Sequence, residues 1–140
     1  MDINDVYEFA NINPLCYLAT VEGDQPRVRA FAMWYAADKG FYFHTSTAKD
    51  VYEQLKANPK IEVCFYATQN GAMMRATGEV EILQDLDLKR KLMDDQEYLK
   101  QMFRGPEDPS LAVFRLQNGI ARFWTIADNE KERKSDRIPF

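Results

Sequence analysis

The chain has 140 residues, 46% of them apolar or aromatic, which is enough for one domain with a packed core and no covalent staples. Its net charge of −4 excludes a general nucleic-acid binder, which needs a basic face. Two distant cysteines, Cys16 and Cys64, and a single histidine, His44, exclude a disulfide framework, a CxxC motif and a multi-histidine metal site.

Residues 3–11 carry Ile3, Val6, Tyr7 and Ala10 at helical spacing, with Asp2 able to cap and Pro14 just beyond. LCYLATVE, 15–22, is a strand rich in apolar and β-branched residues, and GDQP, 23–26, is a turn. A second strand is expected from Arg27 to Ala36, a turn at Ala37–Gly40, and a third, aromatic strand from Phe41 to Thr45, together an antiparallel meander. TSTAKDVYEQLKANP then changes period: Val51, Tyr52 and Leu55 mark a short helix that Asn58-Pro59 ends. IEVCFYA, 61–67, and residues 72–83 are strands four and five around the turn Gln69–Gly71. Residues 85–103 read as helix in two pieces, broken by Gly105-Pro106. LAVFRLQ, the turn Asn118-Gly119 and IARFWTI read as a final hairpin, and the charged tail 128–137 as irregular.

About seven strands, mostly linked as hairpins, must hide their edges, and closure into a barrel does so. The expected fold is mainly β: one domain over 1–140, a barrel with short helices outside. The opening MDINDVYEF has no basic, apolar leader, and no run approaches the roughly 20 apolar residues of a membrane span, so a cytoplasmic protein is expected. Both cysteines sit in apolar, strand-like runs and read as buried thiols suited to a reducing compartment.

Common chemical motifs are missing: no GxGxxG, no GxxxxGK[ST], no HExxH and no GxSxG. If the protein is an enzyme, its hard chemistry belongs to a cofactor. One stretch, Pro26 to Lys49, gathers groups for an anion. Arg27 and Arg29 lie two apart and so point to one face of a strand, and their forks suit phosphate oxygens. His44, Thr45 and Ser46 end the next strand at the start of a helix, where free N–H groups favour an anion, and Lys49 lies in the first turn. Singly, each residue also has a plainer use. The arginines can pair with Glu22 or Asp24, Thr45 or Ser46 can cap the helix, and Lys49 can be solvated.

Three motifs in this order, LATVEGDQPRVRAF, GFYFHTSTAKDVYEQLKANPKIEV and MRATGEVEIL, resemble the pyridoxamine 5′-phosphate oxidase-like family of FMN-binding split barrels. The flavour is that of its small Nim-type and general-stress-type branch. The resemblance implies a six- to seven-stranded antiparallel split β-barrel with short flanking helices. It also implies a homodimer with FMN at the subunit interface. By position it implies that Arg29 and Ala30-Phe31-Ala32 lie along the flavin and that His44 and Thr45 occupy a cofactor-binding strand. Lys49 then stands for the phosphate-binding lysine and Trp124 for a tryptophan from the partner subunit. Arg27 is a candidate on strand geometry alone, Ser46 on its place at the helix start; Arg75, between apolar neighbours on its strand, is a candidate for the cofactor rim or equally for a surface salt bridge, and by position the resemblance places a further site arginine at Arg137. His44 has a plainer use too, filling the flavin wall by packing and one hydrogen bond. Three departures stand out. Trp34 replaces the oxidases' substrate lysine, Met73 a cofactor-binding glutamine, and Arg133-Lys134-Ser135 the substrate-binding Arg-x-His. The resemblance therefore implies a flavin-dependent oxidoreductase of unknown substrate, not a true pyridoxamine phosphate oxidase. Two alternatives stay open: a non-catalytic flavin or haem carrier or sensor, and a cofactor-free dimeric interaction module.

Overall fold

The computed structural model describes residues 1–140. Helix α1 (Ile3–Ile12) opens on the expected cap: Asp2 accepts from the Asn4 and Asp5 amides at 2.8 and 3.1 Å, and Asp5 accepts from the Asp2 amide at 2.7 Å. It buries Val6, Tyr7 and Ala10 against the barrel. The strands are β1 (Leu15–Glu22), β2 (Gln25–Ala32), β3 (Tyr35–Ala37), β4 (Gly40–Ser46), β5 (Lys60–Ala67), β6 (Ala72–Leu83), β7 (Leu111–Trp124) and β8 (Ile138–Pro139). Helix α2 (Asp50–Ala57) follows β4, and α3 (Leu86–Asp95) with a 3-10 turn at Glu97–Gln101 follows β6. No helix is long and apolar enough to cross a membrane.

All pairings are antiparallel, in the order β2-β1-β5-β6-β7-β4-β3, with β8 beside β7. The fold is thus mainly β, with eight strands rather than six or seven, and the hydrogen-bonded path is not closed. The expected meander is divided. Its second strand breaks at Met33-Trp34 into β2, at one edge of the sheet, and β3, at the other. Three Cα–Cα steps from Ala32 to Tyr35 span at most about 11 Å. The two edges are therefore held close together and the sheet curls into a split barrel. The Met33 amide donates to the Pro14 carbonyl and the Trp34 amide to the Tyr42 carbonyl, each at 2.9 Å, so one ladder ends where the other begins.

The expected hairpin at Asn118-Gly119 does not form. The residues on both sides of it pair with β6: Gln117 faces Glu79 and Ile120 faces Thr77, so Asn118 and Gly119 oppose Gly78 as a bulge in one continuous strand. A long partner strand on both flanks overrides a local turn signal. The tail expected to be irregular forms 3-10 turns over Ile126–Lys134. Inside the barrel, Phe41, Phe43, Phe65, Phe114, Leu18 and Leu116 are fully buried. A smaller cluster, Leu92, Met93, Leu99 and Phe103 against Leu111 and Val113, seats α3 and the 3-10 turn on the outside.

Candidate functional site

At the split between the two sheet edges lies a cavity of 240 Å³. One wall is β2, from Arg29 through Ala30 and Phe31 to Ala32. Facing it are His44, Thr45 and Ser46 at the end of β4, then Lys49 and Val51 at the start of α2. Tyr98, Met102 and Phe103, from the 3-10 turn and the residues just after it, complete the lining. Eight residues of the Pro26–Lys49 stretch are thus brought together by the curl of the sheet.

The polar end carries positive charge that no carboxylate pairs directly, Asp50 acting on Arg29 only from beyond ion-pair distance. Neither Arg29 nor Lys49 takes part in any of the ion pairs of the chain. The Arg29 guanidinium donates to the Leu18 carbonyl at 3.1 Å, Thr20 Oγ1 at 2.9 Å and Gln54 Oε1 at 2.6 Å, all uncharged acceptors. Burial lowers its pKa, partly countered by the Asp50 carboxylate, and it remains a cation. Lys49 is the N-cap of α2, and no side chain caps that helix. Ser46 Oγ instead accepts from the Ala48 amide at 3.2 Å. Thr45 is 4% exposed, and its hydroxyl oxygen has no hydrogen-bond partner. A buried hydroxyl without a partner costs about 1–3 kcal/mol.

The ring of His44 is hydrogen-bonded through Nε2 to the Tyr98 hydroxyl at 3.1 Å. Burial, then the Lys49 ammonium, push the His44 pKa from 6.5 down to about 4, so it is neutral at pH 7. Burial raises that of Tyr98. Both cysteines stay thiols: burial pushes Cys16 up to about 12 and raises Cys64.

Two expected site residues lie elsewhere in the chain. Arg27 does not line the cavity; its Nη2 lies 3.1 Å from the Glu22 carboxylate, the plainer use open to it. Trp124 is buried on β7, with the Arg75 guanidinium 5.2 Å above its ring, and lines a separate cleft with Lys131 and Lys134. Trp34, too, is directed away from the cavity: its indole N–H donates to Asp95 at 3.0 Å, beside the outer cluster. Sequence reasoning missed Tyr98, which carries no local signal, and Gln54. The latter had one: the buried face of α2 is Val51, Gln54 and Leu55, so a polar residue interrupts an apolar stripe at helical spacing.

The arrangement fits a flavin phosphate. Free cations, an open helix start and an unpartnered buried hydroxyl stand at one end, and a wall of alanine and aromatic side chains at the other. Comparisons with known proteins agree at the level of the family. A solved structure of a NimC/NimA family protein from Clostridium acetobutylicum is 30% identical, with a TM-score of 0.78, over 88% of this chain and 85% of that one. A pyridoxamine 5′-phosphate oxidase-related, FMN-binding protein from Nostoc punctiforme shares the fold at 15% identity and a TM-score of 0.65, over 98% and 96% of the two chains. Protein bli-3 of Neurospora crassa is 27% identical over 134 residues, 86% of this chain and 63% of that protein. The chain thus spans less than two thirds of that relative's length. The pyridoxamine 5′-phosphate oxidase family profile matches residues 5–125, and on that match, with the split-barrel fold around it, the chain belongs to this family.

Proposed function

We propose that the protein binds FMN in this cavity and acts as a flavin-dependent oxidoreductase, in a homodimer that completes the site. The observation that carries the reading is the pair of unpaired cations, Arg29 and Lys49, beside the unpartnered Thr45 hydroxyl in a chain of net charge −4. On this reading Arg29, Ser46, Lys49 and the start of α2 would hold the phosphate, and Ala30–Ala32 would run along the ring. FMN supplies hydride or one-electron chemistry at its ring when bound. The protein's own part is to bind, orient and exclude water. Burial keeps the His44 ring neutral near pH 7 and raises the Tyr98 pKa, so the pair meets a ligand uncharged.

Two facts support a partner subunit. The cavity, at 240 Å³, is smaller than the roughly 300–1,000 Å³ of a complete ligand pocket. Beside it, Leu15 faces Ala32, Tyr17 faces Ala30 and Ala19 faces Val28 across β1 and β2, which sets these side chains on one side of the sheet. Leu15 is 74%, Tyr17 56% and Val28 69% exposed, an apolar face continuous with the cavity wall. Trp124 would then reach the flavin only from the partner. Two unpaired cysteines suit a cytoplasmic setting.

The test is an FMN titration of purified protein. A tight yellow complex is expected, and Arg29→Ala and Lys49→Ala should each weaken it about 10- to 100-fold, the range for a charge-assisted hydrogen bond. A protein that ignores FMN, or unchanged affinity in both variants, overturns the site. Reduction of the bound flavin by NADH or NADPH and reoxidation by a small acceptor then separate an enzyme from a carrier.

A further inference from the structure

Behind Arg29 runs a buried polar chain. Gln54 is 6% exposed, and both its amide oxygen and its amide nitrogen are engaged: Oε1 accepts from Arg29 Nη2 and from Thr20 Oγ1, each at 2.6 Å, and Nε2 donates one N–H to Glu22 Oε2 at 3.2 Å. Two donors on one side and a carboxylate on the other leave the amide a single sensible orientation, because a flipped amide would set its NH₂ against the guanidinium. Thr20, 1% exposed, accepts from Arg29 Nη1 at 2.9 Å while donating to Gln54, so the three side chains brace one another.

This bracing decides what Arg29 has left to offer. A guanidinium has five N–H donors. Three are spent on Leu18, Thr20 and Gln54, and none of these acceptors is charged. The two that remain are Nε–H and one Nη2–H, which share an edge of the fork, the edge that takes two oxygens of an anion side by side. The carboxylate at the far end of the chain, Glu22, is held by Arg27 at 3.1 Å and meets Gln54 instead of Arg29. A glutamate at position 54 would aim the guanidinium equally well but would cancel its charge. The neutral amide aims it and leaves the charge for the cavity.

We propose that Gln54 is the positioning residue for the phosphate end of this site, orienting Arg29 through its amide oxygen so that one free edge of the guanidinium selects a phosphorylated ligand over its unphosphorylated counterpart. The proposal rests on the FMN reading above and adds a source of selectivity to it.

The experiment compares FMN with riboflavin, which shares the ring and lacks the phosphate, by flavin fluorescence titration of wild type, Gln54→Met, Arg29→Met and the double variant. Methionine keeps the volume of glutamine and removes both the acceptor and the donor. Gln54→Met is expected to raise the FMN Kd about tenfold, as for loss of one charge-assisted contact, and to leave the riboflavin Kd unchanged, which also reports an intact pocket. In the Arg29→Met background it should add nothing, since Gln54 acts through Arg29. Thr20→Val, which removes the other side-chain brace, should shift FMN in the same direction. An unchanged FMN Kd in Gln54→Met, an equal loss for both flavins, or a full additive loss on top of Arg29→Met overturns the proposal while the site stands. A wild type that binds FMN no tighter than riboflavin, or an Arg29→Met variant that binds FMN normally, overturns the site reading and the proposal with it.

Discussion

His44 and Thr45 are neighbours on β4 with opposite costs to the fold. His44 is neutral in the folded protein, with a pKa near 4, against 6.5 in the unfolded chain. Between those values the unfolded chain binds the extra proton, so stability is fully present above about pH 6.5 and falls as pH drops toward 4, by up to about 3 kcal/mol. Thermal melts across pH 4–7 should show this slope, and His44→Gln should flatten it; an unchanged slope would mean that other groups carry the acid sensitivity. Thr45 contributes the reverse case, a buried hydroxyl without a partner. Thr45→Val should raise the melting temperature of the flavin-free protein, by removing a group that costs about 1–3 kcal/mol, and weaken FMN binding. A variant that is less stable without flavin would show that the hydroxyl serves the fold. At this scale Arg29 and Lys49 were legible, because cations at a strand face and a helix start suit an anion. Arg27 has the same local pattern and pairs with Glu22 across the β1–β2 hairpin instead.

Among the elements, β7 departs furthest from its local signal. Asn-Gly favours a two-residue turn because both residues tolerate positive φ. Asn118 does adopt φ 52°, but as part of a bulge, since β6 accepts the strand on either side of it. Gly119 is needed there for space. A methyl group on it would collide with the Thr77 carbonyl oxygen and the Phe140 ring, while its backbone exchanges two hydrogen bonds of 3.0 Å with Phe140. Gly119→Ala should therefore cost about 3 kcal/mol, the upper range for overpacking, and lower the urea midpoint with an unchanged slope. A loss below about 0.5 kcal/mol, the range of a neutral surface change, would show that the bulge gives way freely. Helix α2 was legible in position, yet its buried face includes Gln54, and the partner that explains Gln54 lies 25 residues away in Arg29.

For the whole molecule, the decisive feature is the two-residue crossing at Met33-Trp34 that joins opposite edges of the sheet. It creates the split, and the split holds the cavity. It also leaves β1 and β2 with an exposed apolar face at the cavity's rim. Tyr17→Glu places a charge at the centre of that face. Because Tyr17 is 56% exposed in the single chain, the fold should tolerate the change, and the expected result is a monomer in sedimentation with weakened FMN binding. A wild type that already sediments as a monomer, or a variant that stays dimeric, would place the interface elsewhere.

Local chemistry carried most of the strand and helix assignment. Period-two apolar runs, the Asp2 cap, and the Gly and Pro breaks each act over a few residues, and these can be read in order along the chain. The cationic and hydroxyl groups of the site were readable for the same reason, since their chemistry belongs to the side chains themselves. Which of them meet was decided only in three dimensions. The meeting of Arg29 with Lys49 depends on how far the sheet curls, the fate of Asn118-Gly119 on how long β6 runs beside it, and the aim of Arg29 on an amide from another element. Those are long-range packing choices, in which a strand's partner outweighs its own preferences, and they turned the Pro26–Lys49 stretch from a list of suitable residues into two facing walls of one cavity.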